Sequence, residues 1–494
     1  MTGSQLGGAT SAELSQHAAA NQQPPSAPAW AGLDWDVVVV GGGNAAVASA
    51  IAADEAGARV LILERSPQHM RGGNTRHTRN IRCVHQHTDE FNTGAYLFDE
   101  LWNDLCNVGK GPNDEELACF TVRESETIPP WMTAHGARWQ TPLTGTLHLG
   151  RTNRFFLGGG KTLLNTYYRY LANRRGVTVS YDAKVEEFEF SGNRCTGLVA
   201  LVGGRRLRVG AKAVICSSGG FEANLEWLRR YWGDAVDNYI IRGTPYNDGN
   251  ILSRLFEAHA ASAGEEKGFH AIALDARSPK FDGGIATRLD TIPFGIAVNK
   301  FGRRFYDEGE DIWPKRYAIW GRNIADQPGQ IAVTLWDSKV NGLFLPSMYG
   351  VTQAENIGEL AAKLGLDPAA VSQTVSEYNA AVVPGGTFNP ADLDSCRTDG
   401  LTPAKTHWAQ RLDTPPYYGI AMRPGITFTY MGVAVDRDAR VKLEDGSVFD
   451  NVFAAGEIMS GNVLSTGYLA GFGMTIGSVW GRHAGQKAGQ HAGG

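Results

Sequence analysis

The run Asp36-Val-Val-Val-Val40 is short, apolar and β-branched, the pattern of a strand buried on both faces of a parallel sheet. Gly41-Gly42-Gly43 ends it, and the small residues and alanines from Asn44 to Gly57 predict a helix. A second apolar run, Arg59-Val-Leu-Ile-Leu63, closes at Glu64, so the pattern predicts a strand–helix–strand unit in about thirty residues. From Val177 to Ala213 polar and apolar positions alternate around a turn at Gly203-Gly204, which predicts a small antiparallel sheet. Ala213-Val-Ile-Cys216 is another buried strand and runs into the glycine turn Ser217-Ser-Gly-Gly-Phe221. Asp, Arg, Pro and aromatic residues become dense from Gly268 to Trp320, and a helix–loop pattern follows to about Gly400, as expected of an inserted domain. Gly467-Tyr-Leu-Ala-Gly-Phe-Gly-Met-Thr-Ile-Gly477 then opens a last helix that runs to Gly485.

Size and charge narrow the possibilities. At 494 residues the chain is too long for one ordinary core and predicts two or three packing units. An apolar share of 43% against 20% charged residues excludes global disorder. A net charge of −5 gives no electrostatic footprint for nucleic acid and no polybasic membrane patch. No run of about 18 apolar residues is present, so no spanning helix is expected. The six cysteines are scattered without a Cys-x-x-Cys pair, which indicates neither a metal site nor a disulfide framework and fits a reducing cytoplasm. Residues 1–34 are rich in Ala, Ser, Gln and Pro without a basic start or apolar stretch, and read as a disordered tail rather than a secretory signal. The 61 glycines fall in clusters, a sign of backbone packed closely against a ligand.

The first cluster has chemistry attached. Gly41-x-Gly43-x-x-Ala46 follows a strand and opens a helix, so it matches a dinucleotide fingerprint: a tight turn, room for pyrophosphate, and a small residue for helix–strand packing. Glu64, about twenty residues on, sits where a carboxylate takes ribose hydroxyls, which favours FAD or NAD over NADP. Arg71-Gly-Gly-Asn-Thr75 adds a second glycine pair and further N–H groups for phosphate, which an NAD-only enzyme rarely needs. Gly150-Arg-Thr-Asn-Arg154 and Gly158-Gly-Gly-Lys161 carry three cations in a loop; a solvated loop and an anion-binding site are both open readings.

In their order, Val38-Val-Val-Gly-Gly-Gly43, Gly72-Gly-Asn-Thr75, Gly219-Gly-Phe-Glu-Ala-Asn224, Val298-Asn-Lys-Phe-Gly-Arg-Arg-Phe305 and Ala455-Gly-Glu457 resemble the flavoprotein subunits of the fumarate reductase and succinate dehydrogenase superfamily. Within it, Arg76-His-Thr-Arg-Asn80, the stretch from Phe305 to Tyr317, Lys405-Thr-His-Trp408 and Gly456-Glu-Ile-Met-Ser-Gly-Asn462 look like one narrower group, the FAD-dependent tricarballylate dehydrogenases. The resemblance implies an α/β fold: a Rossmann-like FAD-binding domain at 35–270 and 425–486, interrupted by an α+β capping domain at 271–424. It implies oxidation of tricarballylate to cis-aconitate, with electrons leaving for a membrane-associated electron-transfer protein. It also implies cofactor contacts from Gly41, Gly43, Asn44, Ala45, Glu64, Arg65, Gly72, Gly73, Asn74, Thr75, Val185, Ser218, Gly219, Gly456, Glu457, Gly473, Met474 and Thr475. Covalent attachment is not expected, because His69 lies closer to Gly72 than the flavin-bonding histidine of related dehydrogenases.

Making a C=C bond beside a carboxylate requires a hydride acceptor, a base and cations that hold the carboxylates in line. Arg288, Arg423, Arg151 and Arg154 lie near glycines or prolines in expected loops, and at least two are expected to bind substrate. The chain departs from the fumarate reductases in three places. Phe428 stands where they have a substrate-binding histidine, Tyr468 where they have a substrate-binding arginine, and their proton-donor arginine is missing, with only Lys315 and Arg316 near. The expected base is therefore Tyr468, which needs cations to lower its pKa, or His407, which does not. A Δ1-type ketone or ketosteroid dehydrogenase on the same scaffold, and a flavoprotein subunit that only passes electrons, remain alternatives. A corrin-pathway oxygenase is a weaker one, since no second cofactor motif is present.

Overall fold

The computed structural model describes residues 27–109, 111–142 and 149–493. The apolar runs do what burial on two faces demands. Asp34–Val40 pairs in parallel with Val60–Leu63 and with Arg205–Cys216, and Val37, Val38, Val39, Leu61 and Ile62 are wholly buried. From one edge to the other this sheet runs Arg440–Lys442, Val448–Ala454, Arg205–Cys216, Asp34–Val40, Val60–Leu63, Val177–Ser180. Ala183–Ser191 and Arg194–Val202 extend Arg205–Cys216 as an antiparallel meander, the small sheet that the alternation predicts.

The helix Asn44–Glu55 lies against the final helix Phe472–Gly493. Glycines every fourth position permit this. A Cβ on Gly481 would lie 2.6 Å from the Ala45 carbonyl oxygen, and one on Gly485 would lie 2.3 Å from that of Ser49. Such contacts bring the two helices to backbone distance behind the cofactor turn, and the last helix continues past the expected Gly485 to Gly493.

A second sheet is organised by the long strand Tyr417–Thr429. It runs Phe281–Asp282, Ile240–Arg242, Tyr417–Thr429, Ala332–Asp337, Ile296–Asn299, and Phe269–Asp275 and Thr352–Ala354 also pair with the long strand. The expected boundaries at 270/271 and 424/425 cut through Phe269–Asp275 and Tyr417–Thr429, and Ile240–Arg242 joins this sheet from the segment before them. Ile357–Lys363 and Pro368–Ala381 pack on its outer face through a separate core that includes Leu360, Val371 and Tyr378.

Residues 1–26 of the expected tail lie outside the described residues. Residues 27–34 differ from that expectation. The Trp30 side chain is buried in the main core and the first strand already begins at Asp34, because an indole with a hydrophobic wall beside it gains more from burial than the chain loses in freedom.

Candidate active site

A long cavity runs between the two sheets, bordered on one side by the glycine turns of the first and on the other by the second. At its first end the left-handed Gly41 (φ +120°) turns the chain from strand to helix, and the N–H of Asn44 donates to Thr75 Oγ1 at 3.0 Å. Glu64 lies at the end of its strand and accepts from the Ser66 N–H at 2.7 Å, while burial pushes its carboxyl above the usual range. Beside it Arg65 is paired with Asp248, and Val185 completes the wall.

Midway, Asn74 is held by three partners. Its Nδ2 donates to Glu222 Oε1 at 2.6 Å and to the Thr427 carbonyl at 2.9 Å, and its Oδ1 accepts from the Thr244 N–H at 2.8 Å. Glu222 is wholly buried and also accepts from Asn247 Nδ2 at 2.7 Å. Glu457, which borders the cavity, accepts from the Thr429 N–H at 3.0 Å and meets Glu222 over Gly220.

The far end is cationic. Arg79, Arg242, Arg288 and a neutral His77 line it, and among the described residues no carboxylate does. Arg288 is paired with Asp290 at 2.6 Å, and Arg242 donates to the Gly284 carbonyl and to Thr427 Oγ1, each at 3.1 Å. Arg79 has no ion pair of its own; the Arg288 guanidinium beside it, together with burial, pushes it down to about 10. Aromatic rings close the space. Tyr468 stacks on His270 with ring centroids 4.0 Å apart, the Tyr317 hydroxyl lies 3.4 Å from His270 Nε2, and His270 Nδ1 is buried without a partner. Burial, then Arg242 and Arg288, hold His270 far below its usual pKa, so it is a neutral ring.

A family model described as an FAD binding domain matches residues 36–474. The chain belongs to the FAD binding domain family. A probable fumarate reductase, Ifc3, of Shewanella frigidimarina is 25% identical over 476 residues, 92% of this chain and 75% of that one. A urocanate reductase of Eggerthella lenta is 24% identical over 498 residues, 94% and 76% of the two chains. Among solved structures, the open conformation of a flavocytochrome c3 fumarate reductase matches with a TM-score of 0.70 at 21% identity, over 98% of this chain and 82% of that one. A 3-ketosteroid-Δ4-(5α)-dehydrogenase from Rhodococcus jostii RHA1 matches with a TM-score of 0.73 at 22% identity, over 93% and 97%. The fold is thus the mixed α/β architecture of these flavoproteins, and this member of the family is an FAD-dependent oxidoreductase.

The residues fit FAD. A Cβ at Gly43 would meet nothing nearer than Thr75 Oγ1 at 3.6 Å, so its bare backbone faces open cavity where a pyrophosphate needs close approach. Asn44 Oδ1 and Ser217 Oγ are buried on the cavity wall without partners, as groups awaiting a polar ligand would be. Of the expected cofactor residues, Gly41, Gly43, Asn44, Ala45, Glu64, Arg65, Gly73, Asn74, Thr75, Val185, Ser218, Gly219, Gly456, Glu457, Gly473 and Met474 border the cavity. Gly72 and Thr475 do not. Gly72 is left-handed (φ +110°) and packs on Leu164, and the Thr475 hydroxyl donates to the Arg82 carbonyl.

The expected substrate residues divide. Tyr468 and Arg288 are in the cavity, and the Tyr468 hydroxyl accepts from the Gly473 N–H at 2.9 Å. Arg423 does not border the cavity and donates to the Gly329 carbonyl at 3.2 Å. His407 donates its Nδ1–H to the Gly309 carbonyl at 2.7 Å and does not border the cavity. Arg151 is paired with Glu100 and Arg154 with Asp89, both outside it. Lys161 borders a separate surface pocket with His69, Arg71 and Arg76. Lys315 is paired with Asp104 at 2.6 Å and Arg316 with Glu310 at 3.4 Å. Sequence reasoning missed His77, Arg79, Arg242, Glu222, His270 and Tyr317. His77, Arg79, Glu222 and Tyr317 lie inside phrases that carry the family resemblance, but nothing local in the sequence marks Arg242 or His270.

Proposed function

We propose that the enzyme dehydrogenates a small polycarboxylate, tricarballylate to cis-aconitate, with FAD held non-covalently and reoxidised by a membrane-associated electron-transfer protein. The observation that carries this reading is the group of three guanidiniums, Arg79, Arg242 and Arg288, at a cavity end without a lining carboxylate. Arginines that lower one another's pKa in a buried place are costly unless an anion joins them, and carboxylates match the guanidinium fork. The apolar ring of a ketosteroid would bring no counter-charge to Arg79 and Arg242, with Asp290 already engaged by Arg288. Phe428, Trp313 and the two tyrosines are the observation on that second reading's side.

When bound, FAD supplies the hydride acceptor. The residues do the rest. The arginines hold the carboxylates so that one C–H bond points at the cofactor and its neighbour at a tyrosine, which first gives its own hydroxyl proton to water and then, as tyrosinate, takes the substrate proton as the C=C bond forms. Tyr317 is the better placed of the two rings: burial raises its pKa, but Arg242, Arg288, Arg82 and Arg79 all oppose that. Tyr468 is raised by burial and further by Tyr317 and Glu457, with Arg242 as the one cation against them. Tyr468 then walls the site and receives the Gly473 N–H. Neutral His270 spans the pair and leaves Nδ1 for a substrate oxygen or water. His69 lies outside the cavity, which supports non-covalent binding.

The test is the visible spectrum of purified protein before and after anaerobic addition of tricarballylate. Bleaching of flavin bands supports the reading. Bands that persist with tricarballylate and bleach with a ketosteroid move it to the second one, and turnover with an artificial acceptor excludes a purely electron-passing subunit.

A further inference from the structure

We infer that Glu222 and Glu457 form a proton-sharing carboxyl pair that takes up a second proton when the bound FAD is reduced and gives it back when FAD is reoxidised. The inference rests on FAD as cofactor and not on the identity of the substrate.

The geometry comes first. The two carboxyl groups converge on one point over Gly220, and two ionised carboxylates so close in a buried place repel each other, so the pair keeps one proton between them. Both meet over Gly220, where a Cβ would lie 2.4 Å from Glu457 Oε1 and 2.9 Å from Glu222 Oε2. Each is fixed from behind: Glu222 by the Asn74 and Asn247 amides, Glu457 by the Thr429 N–H. Glu222 Oε2 is buried without a hydrogen-bond partner.

No cation offsets the remaining charge. From the glycine-turn side the pair faces Asn74, from the Asn247 loop another neutral amide, and from the last-helix side the Tyr468 ring, whose ionisation Glu457 disfavours. From the strand Ile240–Arg242, Arg242 is spent on the Gly284 carbonyl and Thr427 Oγ1 and is ion-paired with neither acid. Burial lifts Glu222 to about 7 and Glu457 well above the usual range, so the singly protonated pair is close to accepting again near neutral pH.

Glu457 borders the cofactor cavity, so charge added there acts on the pair through a poorly screening interior. Two-electron reduction of FAD with uptake of one proton leaves the cofactor one charge more negative. That charge favours the doubly protonated pair, and the balance is two electrons and one proton to the cofactor with one further proton from water to the pair. The pair thereby offsets the charge that arriving electrons bring and recovers it when they leave.

The test uses the FAD-loaded full-length enzyme without substrate, reduced at an electrode through mediator dyes. Wild-type midpoint potential plotted against pH is expected to fall more steeply across neutral pH, by one extra proton per two electrons, than in Glu222→Gln or Glu457→Gln. The glutamine variants keep the amide-like oxygen that accepts from Asn74, Asn247 or Thr429 and lose only the titration. Redox-difference infrared spectra of wild type should show a carboxylate band lost and a protonated carboxyl C=O band gained, the latter shifting in D2O. Equal slopes in wild type and variants overturn the inference. Absence of the carboxyl band change in wild type overturns it even if neither variant binds FAD.

Discussion

At the scale of single residues, electrostatics separates the arginines that face the cavity from those that do not. Arg79 is unpaired and Arg288 shares Asp290, while Arg423 is tied to backbone carbonyls away from the cavity. Replacing Arg79 or Arg288 by Ala is expected to raise KM for tricarballylate roughly 10- to 100-fold, since a hydrogen bond to a charged group contributes about 1.5–3 kcal/mol. Arg423→Ala and His407→Ala should leave KM and kcat nearly unchanged, and steady-state kinetics with an artificial acceptor checks all four. Tyr317→Phe should lower kcat about 10²- to 10⁴-fold with the flavin spectrum intact, as loss of a general base does; full turnover in that variant would return the role to Tyr468. His77 reports on pH. Burial, then Arg242 and Arg76, push its pKa down to about 4, so the folded enzyme holds it neutral where the unfolded chain, near 6.5, binds a proton. The unfolded state therefore binds more protons between these values, and stability falls as pH drops from about 6.5 towards 4. Thermal melts over that range should show a shallower acid loss in His77→Gln.

Among elements, the packing of the last helix on the cofactor helix decides how well the dinucleotide turn is held. Gly477, Gly481, Gly485 and Gly489 form one face of Phe472–Gly493, and the contacts at Gly481 and Gly485 leave no space for a side chain. Gly485→Val is expected to destabilise by about 1–3 kcal/mol, the cost of overpacking a tight core, and to weaken FAD retention as the Gly41–Asn44 turn is pushed out of line. Melting temperature and the ratio of flavin to protein absorbance measure the two effects together. At the same scale, an irregularity in the pairing of Tyr417–Thr429 with Phe269–Asp275 lets the adjacent Thr427 and Phe428 both reach the cavity, whereas Arg423 emerges beside Asn238 and Gly329.

Over the whole molecule, the cavity is assembled from segments hundreds of residues apart: the first βαβ unit, the loop after Arg242, the long strand and the start of the last helix. A ligand that spans them acts as a tie between the two sheets. Removing FAD should lower the melting temperature, and saturating it at about a thousand times its dissociation constant should restore roughly 4 kcal/mol. A melt that is the same with and without FAD would contradict that spanning role. Among the described residues no helix is long and apolar enough to cross a membrane.

The amino-acid pattern alone determined the cofactor half. A β-branched run, a glycine turn and an alanine-rich helix interact locally, and most of their cofactor contacts follow from their own spacing, from Gly41 to Glu64. The antiparallel meander was equally legible because alternation has a period of two. The substrate half was decided by tertiary structure. Arg242 and His270 come from two strands of the second sheet, Arg288 from a loop and Tyr317 from a short turn, and no sequence spacing relates them. Whether an arginine in a glycine-rich loop faces a cavity or a carbonyl depends on which neighbour it meets, and that neighbour is chosen by strand pairing at long range. The Glu222–Glu457 contact has the same origin: 235 positions separate the two acids in the chain, and folding brings them together over Gly220.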